Sequence, residues 1–119
     1  MTKTEVRFTV HLTINADQFA AFERVVDTMI AGTQKESGAL GYDWCLSSDR
    51  RQCRLIETYV DANSVQAHLT GPVVQQLVPK LLEVSSLSGF EVYGDPGPKA
   101  TETLTGLGAK IFRRWRGLK

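Results

Sequence analysis

From position 6 to 14 the chain alternates strictly: Val6, Phe8, Val10, Leu12 and Ile14 are apolar, while Arg7, Thr9, His11 and Thr13 are polar. A period of two is that of a strand with one buried face. Asn15 and Gln18 follow in the spacing of a capping box. Phe19, Phe22, Val26, Met29, Ile30 and Thr33 then recur at helical spacing, which predicts a first helix running to about Glu36. Ser37 and Gly38 should stop it, with Gly38 in the left-handed position that often closes a helix. Leu40, Tyr42, Trp44 and Leu46 share one face of a second strand, residues 47 to 52 supply a turn, and residues 53 to 60 return as a third strand. If both strands of this hairpin turn their apolar sides the same way, Trp44 lies opposite Leu55 and Tyr42 opposite Glu57.

Asp61 is placed to cap a short helix on which Val65, His68 and Leu69 fall on one side. Thr70, Gly71 and Pro72 break the chain before Val74, Leu77, Val78 and Leu81 resume a helical stripe. Pro79 lies inside that stripe and should kink or divide it, since it lacks a backbone donor and clashes with the preceding turn. A fourth strand is expected over residues 86 to 93. Beyond a turn-rich connector at 95 to 99, a short helix over 100 to 107 and a strand over 109 to 115 are expected. The order strand, helix, strand, strand, helix, strand is the split βαβ arrangement of ferredoxin-like domains. This predicts an α+β fold with a four-stranded antiparallel sheet over residues 1–94. Residues 95–119 form a C-terminal extension, either part of the same domain or a dimer arm.

A ferredoxin-like sheet carries helices on one face only. The other face would mix Thr9, His11, Asp43, Cys45, Ile56 and Thr58, which is too apolar in part to be left wholly wet, so a homodimer packed sheet to sheet is expected. The length of 119 residues fits one domain, and a domain this small gains from burying surface against a second subunit. The N-terminus is charged where a signal peptide would be apolar, and no apolar run is long enough to span a bilayer, so a cytoplasmic protein without a membrane partner is expected.

The net charge of +1 conceals an asymmetry: residues 110 to 119 carry five cations and no acid, leaving the preceding residues at −4. Such an end could touch nucleic acid or anionic lipid. The interleaved Ile111, Phe112, Trp115 and Leu118 favour instead an edge strand or arm with a solvated cationic face, and no nucleic-acid partner is expected. Cys45 and Cys53 suit neither a CxxC redox pair nor a zinc knuckle. Hairpin parity points them to opposite faces, which favours two free thiols over a cross-strand disulfide.

Chemistry concentrates between residues 55 and 72, LIETYVDANSVQAHLTGP, where Leu55, Glu57 and Tyr59 share a strand face and His68 follows on the capped helix. With the ESGALGY stretch from Glu36 to Tyr42 and the opening strand VRFTVHLTIN, this closely resembles the antibiotic biosynthesis monooxygenase family, in particular its small quinol monooxygenase-like members, over roughly residues 5 to 94. The resemblance implies a dimeric α/β barrel and oxidation of a small aromatic or quinone-type substrate by molecular oxygen, with no flavin, metal or other cofactor. A phenolate is electron-rich enough to reduce oxygen directly, so the protein need only hold it in an apolar slot, manage a proton and exclude water.

On that reading His68 is the general base or a hydrogen-bond partner of a substrate oxygen, and Glu57 supports it. Tyr42, Trp44 and Tyr59 are substrate contacts, with Phe8, Phe22 and Leu77 as apolar lining. Each has a plainer reading. The aromatics could be core, His68 could be a packed histidine satisfied by a backbone carbonyl or Glu57, and Glu57 could pair with Arg7 or Arg54. A nonhaem iron site of His11, His68 and Glu57 is opposed by parity, because His11 faces the other side of the sheet. Haem degradation, also seen on this fold, uses a strand-one asparagine and a strand-three tryptophan where this chain has Val10 and Tyr59. The rival functions are a non-catalytic dimeric ligand-binding or stress-response module on the same fold, and an interaction protein acting through its basic end.

Overall fold

The computed structural model describes residues 3 to 118. Residues 1 and 2, which open the expected domain, and Lys119 of the cationic end lie outside the described residues. The elements are β1 (Val6–Ile14), α1 (Phe19–Thr33), β2 (Ala39–Leu46), β3 (Gln52–Tyr59) and α2 (Ala62–Thr70). A π-helical turn (Val73–Leu77) then leads into α3 (Val78–Leu81), β4 (Ser85–Tyr93), α4 (Pro98–Gly106) and β5 (Lys110–Phe112).

Among the described residues one sheet holds the strands in the order β2-β3-β1-β4-β5. Its first four are antiparallel, as the split βαβ order predicts, and form the ferredoxin-like unit. The expected sheet of four is corrected to five, because β5 adds in parallel to the edge of β4. The expected strand over 109 to 115 shrinks to three residues, and Trp115 beyond it is 82% exposed. The hairpin register is the expected one: Trp44 pairs with Leu55, and Tyr42 with Glu57. Both thiols are free, Cys45 exposed and Cys53 buried, so the disulfide alternative is excluded by the parity that places them on opposite faces.

Two details of α1 differ from expectation. No side chain caps its first turn. Asn15 is held instead by the neighbouring connection, where its backbone N–H bonds Val84 O at 3.0 Å and its amide donates to Glu83 O at 3.4 Å. Gly38 does not take the left-handed conformation. It is needed for close approach, since a Cβ there would collide with the Ser64 side chain on α2. The helix ends through tight i→i−3 bonds, Lys35 N to Gly32 O and Glu36 N to Thr33 O, and this turn carries Glu36 toward α2.

Asp61 caps α2 as expected, accepting from Ser64 N at 2.8 Å. The stripe that follows is divided as Pro79 demands. The proline occupies the first turn of α3, where a missing N–H is not felt, and the preceding turn is widened to π geometry.

All helices cover one face of the sheet. One core cluster joins Leu12, Ile14 and Cys53 with Phe22, Val26 and Met29 of α1. A second joins Val6, Phe8, Tyr59 and Val92 with Val65 and Leu69 of α2 and with Ala100 and Leu104 of α4, so the C-terminal extension shares a core with the strands. The opposite face carries half-buried Thr9, His11, Thr13, Ile56 and Thr58 beside exposed Arg7, Asp43, Cys45 and Arg54. Among the described residues no helix is long and apolar enough to cross a membrane.

Candidate functional site

Three elements converge on His68. Strand parity turns Glu57 of β3 toward the helices, where it is 4% exposed. The Asp61 cap sets the start of α2, so that Val65, His68 and Leu69 face inward and the imidazole is 3% exposed. The turn after α1 brings in Glu36. The His68 Nδ1 lies 2.7 Å from Glu36 Oε1, and its Nε2 lies 3.4 Å from Glu57 Oε1. The Tyr59 hydroxyl donates to that same Glu57 oxygen at 2.5 Å, and the Tyr59 ring lies 5.0 Å from the imidazole.

This geometry selects a charge state. Burial alone would favour neutral His68, but hydrogen bonding and charge from Glu57, and then from Glu36, outweigh it and hold its pKa above the ordinary histidine value. An imidazolium offers a donor to each carboxylate, which matches two nitrogens that each face a carboxylate oxygen. Tyr59 and Tyr42 move upward too, chiefly through burial and then through the charge of Glu57, so both keep their phenolic protons.

Beside the cluster lies a cavity of about 100 Å³ lined by Glu57, His68, Tyr42 and Phe8, with Val10, Leu12, Met29, Leu55, Phe90 and several aliphatic residues of the α3 region. The buried Tyr42 hydroxyl and Thr33 Oγ1 lie near enough to interact with each other but form no well-aligned hydrogen bond, and Trp44 Nε1 is buried without a partner. Buried polar atoms of this kind are uncommon and call for an explanation.

Of the residues singled out from sequence, His68, Glu57, Tyr42 and Phe8 meet at this cavity, whereas Trp44, Tyr59, Phe22 and Leu77 do not line it. Trp44 and Phe22 pack edge to face with each other, 6.2 Å between centroids. Tyr59 stands behind Phe8 and holds Glu57. The carboxylate pairs with His68 and Tyr59 rather than with Arg7 or Arg54, both of which are exposed. Glu36 was missed as a site residue, although it opens the ESGALGY stretch; its signal is long-range and depends on where the first helix ends. His11 faces the opposite side, in register with Arg54, and no group of three His, Cys, Asp or Glu side chains suited to a metal ion occurs among the described residues.

The profile of one protein family, antibiotic biosynthesis monooxygenase, matches residues 6–80. The chain belongs to that family. A solved structure of MupZ from Pseudomonas fluorescens is similar at 21% identity and a TM-score of 0.79, over 98% of this chain and 94% of that one. Rv0793 from Mycobacterium tuberculosis matches at 21% identity and 0.69, over 80% and 98%. SnoaB from Streptomyces nogalater, described as a cofactor-independent oxygenase, matches at 18% and 0.68, over 80% and 96%. At these identities the likeness is one of fold. No curated protein matches the chain. Family membership covers β1 through most of α3, and the segment holding α4 and β5 lies beyond the matched residues.

Proposed function

We propose that this family member is a cofactor-independent oxygenase or quinol oxidase acting on a small hydroxylated aromatic substrate at the His68 cavity. The observation that carries the reading is a buried imidazole held between two carboxylates on a cavity that Tyr42 and Glu57 also line. A substrate hydroxyl placed there can accept from Tyr42, whose phenol burial keeps protonated, in exchange for its contact with Thr33. Glu57 accepts the substrate's proton, and the protonated His68 stabilises the resulting oxyanion, so the histidine serves as a donor and charge partner rather than as the base. The electron-rich phenolate then reacts with oxygen in a site screened from water. The cavity is small beside ordinary ligand pockets of about 300–1,000 Å³, which restricts the enclosed part of the substrate to one ring.

Oxygen uptake with a panel of hydroquinones tests this. The wild type should consume oxygen and the His68→Ala variant should lose most of the rate; equal rates would remove His68 from the mechanism. A second reading, a redox-neutral proton transfer, is favoured by the largely aliphatic lining and by an acid and a base side by side. Product formation with no oxygen consumed would select it. Binding without any product would select a ligand-binding module instead.

The family fold and the half-buried outer sheet face support a homodimer packed through that face. Light scattering at micromolar concentration should give twice the mass of 13.2 kDa, and a monomeric mass would sink the dimer.

A further inference from the structure

The cavity at His68 is lined by Leu107, which lies outside the family-matched residues and directly after α4. Leu82, Leu87 and Leu107 all line it, and all are substantially exposed, at 43%, 39% and 46%. A side chain that both lines a cavity and faces solvent stands at its mouth, so the entrance is a ring of three leucines from α3's end, β4 and the extension. Three part-exposed leucines on one cavity give it an apolar mouth. The inner groups, Tyr42, Glu57 and His68, are polar and carry acid in excess of base with Glu36 beside them. An anionic head is therefore disfavoured there, and a neutral hydroxylated one is favoured.

We propose that the substrate is an amphiphile: a neutral hydroxylated head fills the cavity and an alkyl tail leaves through the leucine ring, with Leu107 setting how tails are accepted. This rests on the reading of the His68 cavity as the binding site and extends it to the substrate class. The observation favouring a tail is continuity, because the cavity of about 100 Å³ opens at an apolar rim rather than at solvated polar residues. Leu107 is fixed there by the close of α4, where its N–H bonds Thr103 O at 3.2 Å, and by Gly108, whose φ of +95° turns the chain away into β5.

The test measures dissociation constants of phenol and a 4-alkylphenol series by titration calorimetry, for the wild type and Leu107→Trp. Leu107 is exposed enough for the variant to fold. Affinity should rise about fourfold per added methylene over the first few carbons, the factor expected for burying each one. Leu107→Trp should weaken 4-hexylphenol at least tenfold more than it weakens phenol. Phenol binding with no gain from the tail, or equal chain-length dependence in the variant, would overturn the amphiphile proposal and leave the site standing. If neither phenol nor any alkylphenol binds, the cavity reading falls and this proposal with it. A variant that alters only the mass in solution, with the chain-length dependence intact, would assign the ring to contact between copies and overturn the proposal.

Discussion

Replacing His68 with alanine is expected to lower folding stability by about 3–5 kcal/mol near pH 6, the range for a buried ion pair that loses one member. Glu57, 4% exposed, carries most of the penalty, because it would be left buried with Tyr59 as its remaining hydrogen-bond donor. Glu36 is partly exposed, and water compensates it. The effect has a definite pH dependence. The folded pKa of His68 is raised, so protonation contributes its full stabilisation below the ordinary value of about 6.5 and loses it as pH rises through the higher folded value. Alanine also leaves a void, but that cost is the same at every pH. The destabilisation measured by urea unfolding should therefore be larger at pH 6 than at pH 9. Cys53, pushed up to about 11 by burial, adds an alkaline slope of its own, which is common to both proteins and cancels. Equal losses at the two pH values would mean that the histidine is neutral in the fold.

The strands were legible because their signal is local. Alternation in β1 and β3 gives the buried face directly, and Tyr42 opposite Glu57 follows once both hairpin strands must face the helices. The inward turn of His68 was legible for the same reason: Asp61 fixes the start of α2 and thereby the face on which positions 65, 68 and 69 lie. What local patterning cannot carry is the meeting of distant segments. Glu36 reaches His68 across 32 residues because α1 closes in a tight turn and Gly38 lets α2 approach, and neither fact is periodic. The aromatics show a related limit. Parity places Trp44, Tyr42, Tyr59 and Phe8 on one face but does not say which neighbour covers each. Phe22 covers Trp44, while Tyr42 is left beside a cavity. β5 was expected as a strand, and the strand–helix–strand order suits its parallel addition, but the edge it joins is set by how α4 packs on the sheet, which no spacing encodes.

Glu57→Gln should reduce kcat by about 10²–10⁴-fold, the usual contribution of a positioned general base, with KM changed far less. Glutamine preserves the volume and can still accept from the Tyr59 hydroxyl, so lost packing is not the cause. The missing charge acts twice. The amide cannot take a substrate proton, and His68 loses the partner that most opposes burial, so its pKa falls. A reaction that needs His68 protonated slows as pH rises through that pKa, and in the variant the decline should begin at lower pH. Glu36→Gln removes a smaller influence of the same sign. It should move the decline the same way while keeping most of the plateau rate, because Glu36 faces the other ring nitrogen and does not line the cavity. Profiles of kcat against pH for the three proteins separate the roles. A normal plateau for Glu57→Gln would show that the proton goes elsewhere. A decline at unchanged pH in both variants would show that the titrating group is not His68, since no change in either carboxylate's charge could leave an imidazole between them unmoved.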